Sequence, residues 1–136
     1  MRHKFFTDMN KVIVVILLAC LLAGCSSPAQ AEYRKITAEQ AKGKMTDSSD
    51  FILLDVRTEE EFQEQHLDGA ILIPDYEIGL RAEKELPDKE ALILIYCRSG
   101  RRSELAAVEL VGMGYTNVYD FGGIIDWPYE TVGSAQ

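Results

Sequence analysis

The chain is predicted to fold as an α/β domain with a parallel sheet covered on both faces. Three observations carry this. Strand-like and helix-like segments alternate from residue 37 to residue 127. Two of the strand-like runs, Phe51-Ile52-Leu53-Leu54 and Leu92-Ile93-Leu94-Ile95-Tyr96, are unbroken rather than alternating, the pattern of strands buried on both faces. Two helices open on capping boxes, Thr37 with Gln40 and Thr58 with Glu61.

In chain order, the domain begins near Tyr33, and the first capping box opens a short helix to about Met45. Thr46 to Asp50 is a polar loop. Phe51 to Val56 is a buried strand, followed by Arg57 and by a second helix to about Gln65. His66 to Gly69 is a turn, with His66 expected to bond to backbone. Ala70 to Ile73 is a third strand, closed by Pro74. Asp75 to Glu85 reads as a helix with Ile78 and Leu80 as its apolar contacts, weakened by Gly79. Leu92 to Tyr96 is the central strand, and Ser103 to Val111 the helix after it, with Leu105, Val108, Leu110 and Val111 near helical spacing and Ser103 as a cap. That helix ends at Gly112-Met113-Gly114. Val118 to Asp120 is a last short strand, Gly122-Gly123 a turn, and Ile124 to Trp127 one helical turn stopped by Pro128, with Trp127 as an apolar plug.

With 136 residues the chain has room for one domain and one core. Its net charge of −8 argues against nucleic-acid binding, which needs a basic face. Residues 1–24 read as a secretory leader rather than fold: a head with Arg2, His3, Lys4 and Lys11, an apolar run from Val12 to Leu22, then Leu22-Ala23-Gly24-Cys25. The run is shorter than the roughly 20 apolar residues of a membrane span. The ending resembles the lipobox of bacterial lipoproteins, which implies that Cys25 is acylated and becomes the mature N-terminus. The domain is then expected in the bacterial cell envelope, on the outer side of the cytoplasmic membrane or in the periplasm. Residues 25–32 would be a flexible tether, 33–132 the folded domain and 133–136 a tail. Removal of the leader leaves a net charge of −10, so charge alone would not hold the domain on anionic lipid.

Of three cysteines, Cys20 would leave with the leader and Cys25 would carry lipid, so Cys97 is expected to be the only free thiol. With His66 the only histidine left, neither a metal centre nor a Cys-His dyad can be assembled. No cofactor is expected.

Cys97 opens the stretch Cys97-Arg98-Ser99-Gly100-Arg101-Arg102, between the central strand and a helix. The carboxyl end of a strand in an open α/β sheet is where ligands bind. Helix N-terminal amides and guanidinium groups both stabilise a thiolate, the nucleophilic form of the side chain. A cysteine that only packs has no need of three arginines beside it.

The residues together resemble the single-domain rhodanese-like sulfurtransferases, over Tyr33 to Trp127. The resemblance rests on Ile36-Thr37, Asp55-Val56-Arg57, Glu61-Phe62 through His66 to Gly69-Ala70 and Ile73-Pro74, the loop Cys97 to Arg102, and Gly122-Gly123-Ile124 ahead of Trp127. Gln65 departs from the pattern, which has glycine before the histidine. The resemblance implies a three-layer α/β/α fold with a mostly parallel central sheet. It implies that Cys97 is the nucleophile and that Arg98, Ser99, Gly100, Arg101 and Arg102 cradle the transferred sulfur. The thiolate would take the outer sulfur of thiosulfate, release sulfite and pass the sulfur to cyanide or a thiol, with ping-pong kinetics. The expected partners are a small anionic donor, an acceptor and a membrane through the lipid on Cys25, with the domain a monomer. Arg98 and Arg101 are expected to orient the donor, and Arg102 to do the same or to pair with an acidic neighbour. Asp55 and Arg57 are expected to pin neighbouring loops as an ion pair.

Two other readings fit less well. A cysteine phosphatase or arsenate reductase of related fold would have an arginine six positions after the cysteine, where this chain has Ser103. Arsenate reduction also calls for a resolving thiol, and none would remain. A non-catalytic binding module of the same fold has no use for the cysteine and its arginines.

Overall fold

The computed structural model describes residues 32–133. The leader 1–24, the lipidation site Cys25, all but the last residue of the tether, and residues 134–136 of the tail lie outside the described residues. The sheet has five parallel strands: β1 (Arg34–Lys35), β2 (Ile52–Asp55), β3 (Ile71–Leu72), β4 (Ile93–Cys97) and β5 (Val118–Gly123), in the spatial order β1-β5-β4-β2-β3. β4 is the middle strand, as its apolar run predicts, and all five of its residues are buried. The four α-helices are α1 (Ala38–Asp47), α2 (Glu59–Glu64), α3 (Ile78–Glu85) and α4 (Arg101–Gly112). Short 3-10 turns occupy Asp75–Glu77 and Ile124–Asp126.

Strand side chains alternate between two cores. Leu54, Ile93, Ile95, Cys97 and Val118 face α3 and α4, where they meet Ile78, Ala82, Ala106, Ala107 and Leu110. Leu53, Leu94, Tyr96 and Phe121 face the other way, against Ala41 of α1, Ile124 and Trp127. Both capping boxes form: the Thr37 and Thr58 hydroxyls accept from the N–H groups of Gln40 and Glu61, whose side chains accept in return.

Several elements differ from the sequence reading. β1 is an additional edge strand, in register with Tyr119 and Asp120 of β5 and tied to α4 by the Lys35–Glu104 ion pair. β5 runs on through Gly122-Gly123 instead of ending in a free turn, and Gly123 pairs with Cys97 at the end of the sheet. In α3 only Ile78 of the expected apolar pair is buried, and Leu80 is 86% exposed. In α4 the expected contacts Leu105 and Val108 are exposed, and the buried stripe is Ser103, Ala106, Ala107 and Leu110. Small residues let α4 lie close over the sheet, so the packing face is the one with less apolar bulk. Ser103 is not the cap. Gly100 stands at that position, and Ser103 lies buried in the first turn.

The corrected α3 face is open to test by urea unfolding. Ile78→Ala should cost about 2–4 kcal/mol through lost packing and a residual cavity. Leu80→Ala should stay within about 0.5 kcal/mol.

Candidate functional site

The loop after β4 is built from the backbone upward. Cys97 closes β4 in register with Gly123, and its side chain faces α4. Gly100 has φ +100°, a conformation that a side chain would strain, and it turns the chain into α4. That turn aims the Gly100 N–H at Cys97 Sγ, 3.0 Å away. Cys97 is 1% exposed, whereas Arg98, Ser99 and Arg101 are exposed. A reactant must therefore approach the sulfur through the loop.

The floor of the loop is the end of β5. A Cβ on Gly123 would lie 2.2 Å from the Arg98 carbonyl oxygen and 2.6 Å from Ser99 Cα, so two backbones touch where no side chain fits. The Arg98 carbonyl accepts from the Ile125 N–H at 3.2 Å. Asp120, fully buried on β5, ties floor to roof. Its Oδ1 accepts from the Gly122 N–H at 3.0 Å and from the Ser103 hydroxyl at 2.7 Å. Ser103 Oγ is also 3.1 Å from the Gly100 carbonyl oxygen. Asp120 and Ser103 are loop-positioning residues that the sequence reading missed. The signal was present in two polar residues at otherwise apolar strand and helix positions.

The three arginines divide by role. Arg102 makes a two-pronged pair with Glu61 of α2, both N···O distances 2.8 Å. Of the two roles open to it, the geometry gives it the acidic neighbour. Arg98 and Arg101 have no side-chain partner among the described residues. Hydrogen bonds from Arg102 hold the Glu61 carboxyl at about 2, against the opposing effect of partial burial and with help from the Thr58 N–H. Glu61 thus caps α2 and clamps α4 at once.

Asp55 and Arg57 form the expected ion pair, and it is buried: Arg57 Nη2 lies 2.6 Å from Asp55 Oδ2, with side chains 5% and 0% exposed. Arg57 Nη2 also donates to the Gln65 carbonyl, which pins the end of α2. Its guanidinium lies 5.6 Å from the Tyr96 ring. Burial, then the Asp55 charge, pushes the Tyr96 hydroxyl's pKa up, so it stays a neutral phenol that accepts from the Leu67 N–H. His66 Nδ1 is 2.7 Å from the Phe62 carbonyl, its ring stacks on Phe62, and its backbone pairs with Val132. His66 is held as a structural residue, as the sequence suggested. No group of acidic, histidine and cysteine side chains among the described residues could hold a metal ion.

A cleft of about 380 Å³ opens beside the loop, with Arg57, Arg98 and Ile124-Ile125 among its walls.

The Glu61 clamp has a pH signature. A carboxyl depressed in the folded state stabilises above its ordinary value of 4.5, and the effect fades as pH falls from there through about 2. Wild type should therefore lose about 2 kcal/mol more stability between pH 7 and pH 3 than Glu61→Gln does, read by urea unfolding.

Comparison with known proteins agrees with this architecture. The family model described as Rhodanese-like domain matches residues 37–128. The Escherichia coli thiosulfate sulfurtransferase PspE is 42% identical over 73 residues, covering 54% of this chain and 70% of that protein. A sulfurtransferase of Allochromatium vinosum is 36% identical over 94 residues, covering 68% and 86%. Among solved structures, a rhodanese with anions from E. coli superposes with TM-score 0.57 at 38% identity, covering 61% of this chain and 98% of that one. With a matching domain across most of its length and sulfurtransferases among its relatives, the chain belongs to the rhodanese-like family.

Proposed function

We propose that this protein moves a sulfane sulfur from thiosulfate, or a similar anionic donor, to cyanide or a thiol through a persulfide on Cys97. One observation carries the reading: the Gly100 N–H is aimed at Cys97 Sγ at 3.0 Å, at the mouth of a loop whose Arg98 and Arg101 are uncommitted. The thiolate attacks the outer sulfur of thiosulfate, the sulfur–sulfur bond of the donor breaks, and its electron pair leaves with sulfite. Arg98 and Arg101 draw in the sulfonate end, and the backbone amides of Ser99, Gly100 and the first turn of α4 stabilise the charge left on the terminal sulfur. Arg102 serves by holding the loop through Glu61. An acceptor then attacks the outer sulfur and restores the Cys97 thiolate.

The names of the relatives support the sulfurtransferase class, and PspE and the single-domain GlpE proteins carry thiosulfate in theirs. The sixth position after Cys97 supports the choice of sulfur over a phosphate. Ser103 stands there with its hydroxyl on Asp120, so it offers no cation to a tetrahedral oxyanion.

The full chain, treated with thiosulfate, should gain the mass of one sulfur atom on Cys97 and release sulfite continuously when cyanide is present. Cys97→Ser should abolish both. A folded wild type that takes up no sulfur would refute the proposal.

The leader adds a second reading: acylation of Cys25 tethers the domain outside the cytoplasmic membrane. From Cys25 to Ile36 an extended chain reaches about 35 Å, enough to lift the domain clear of lipid headgroups. Cys25→Ala should lose all labelling by a fatty-acid probe. Retained labelling would overturn the lipid anchor.

A further inference from the structure

Helix α4 has two faces with apolar side chains, and the sheet covers one of them. Ser103, Ala106, Ala107 and Leu110 pack inward, while Arg101, Leu105, Val108 and Gly112 follow one another along the outer side at helical spacing and are exposed. Leu105 and Val108 are 56% and 54% exposed, and Leu80 of the neighbouring α3 is 86% exposed. The two helices lie close together where Gly79 meets Glu109: a Cβ on Gly79 would stand 2.7 Å from Glu109 Oε1. Apolar side chains on adjacent helices make a ridge that gains by leaving water.

The route of the chain into the domain indicates what covers this ridge. The tether arrives on the flank of the same helix. Tyr33 donates its hydroxyl to Glu104 Oε1 at 3.1 Å, and Lys35 pairs with Glu104 Oε2 at 3.0 Å. Glu104 adjoins Leu105 and lies one helical turn before Val108. From Cys25 to Tyr33 an extended chain reaches about 28 Å, no more than the width of a domain this size. A lipid on Cys25 therefore keeps that flank of α4 beside the bilayer, where the tether raises the effective concentration of lipid surface. Charge allows the contact. Glu104 is paired with Lys35, Arg101 stands at the head of the ridge, and Glu109 is the acidic group on the α3 side. A second copy is a poorer match, because a stable pairing buries about 800 Å² on each partner, well beyond what three side chains offer.

We propose that the outer ridge of α4, centred on Leu105 and Val108 with Leu80 beside it, docks onto the lipid surface that holds Cys25. The inference rests on the lipid-anchor reading above. The apolar side chains enter the boundary between headgroups and acyl chains, as on helices that lie in a membrane interface. Arg101 belongs to the sulfur loop, so docking sets that loop level with the headgroups.

The protein, made with its leader and recovered from membranes, is reconstituted into phosphatidylcholine vesicles that include a phosphatidylcholine with a diazirine near its headgroup. Mass spectrometry reads the lipid on Cys25 and, after illumination, the adducts on each peptide. The α4 segment should carry at least fivefold more adduct than α1, which packs on the opposite face of the sheet. The double substitution Leu105→Gln and Val108→Gln should remove that excess while leaving the urea midpoint and the lipid on Cys25 unchanged. Equal labelling of the two helices, or an excess that survives the double substitution, would overturn the inference and leave the anchor standing. A chain without lipid on Cys25 removes the anchor and the inference together. A domain that dimerises in detergent, and that the double substitution returns to a monomer, assigns the ridge to a second copy and overturns the inference as well.

Discussion

The loop at the heart of this protein depends on a contact between two backbones. β5 ends directly beneath the residues after Cys97, and Gly123 leaves no room for a side chain against Arg98 and Ser99. Two strands and a helix thus converge on one peptide-thick layer. The loop cannot settle deeper, because it already rests on main chain. Nor can it lift without losing the Ile125 N–H on the Arg98 carbonyl. The direction of the Gly100 N–H, and so the environment of the Cys97 sulfur, follows from that seating.

Buried polarity finishes what the glycines begin. A carboxylate inside an apolar core is tolerated only when hydrogen bonds replace its water. Asp120 meets that demand at one oxygen only: Oδ1 accepts from the Gly122 N–H and the Ser103 hydroxyl, and so joins the floor of the loop to the first turn of α4, while Oδ2 is buried with no partner among the described residues. Glu61 does the equivalent work from outside, bonding the N-terminus of α2 through Thr58 and gripping Arg102 of α4. Asp55 and Arg57 repeat the theme at the end of β2. Three acidic residues on three elements each hold one side of the site, while Arg98 and Arg101 remain free for anions.

The parts of this arrangement that were legible in the sequence are those governed by local chemistry. Unbroken apolar runs identified β2 and β4, and the Thr37 and Thr58 capping boxes identified α1 and α2, because each pattern lies within a few neighbouring residues. The loop was legible for the same reason, as a cysteine among arginines between a strand and a helix. What the sequence hid depends on tertiary packing. Leu105 and Val108 have the right spacing for a buried face, yet α4 packs through Ser103, Ala106, Ala107 and Leu110, because closeness to the sheet favours small side chains over apolar ones. β1 has only two residues and no apolar signature, and it exists through its pairing with β5. Asp120 and Ser103 are 17 residues apart, and no local rule pairs them.

The sorting of charge also bears on which anion the loop suits. A tetrahedral oxyanion needs donors on several sides and, beside a nucleophilic sulfur, a cation fixed against its outer oxygens. Here the one rigid arginine of the loop, Arg102, has both prongs on Glu61 and none to spare. The two that remain sit on exposed side chains, suited to drawing in and releasing a mobile anion rather than gripping it through a reaction. The single sulfur of the proposed reaction asks less, because the charge on a persulfide is diffuse and the Gly100 N–H already points at Cys97 Sγ. The same economy explains why the rest of the domain can be acidic. Against a net charge of −8, a loop that carries three arginines favours the approach of an anion.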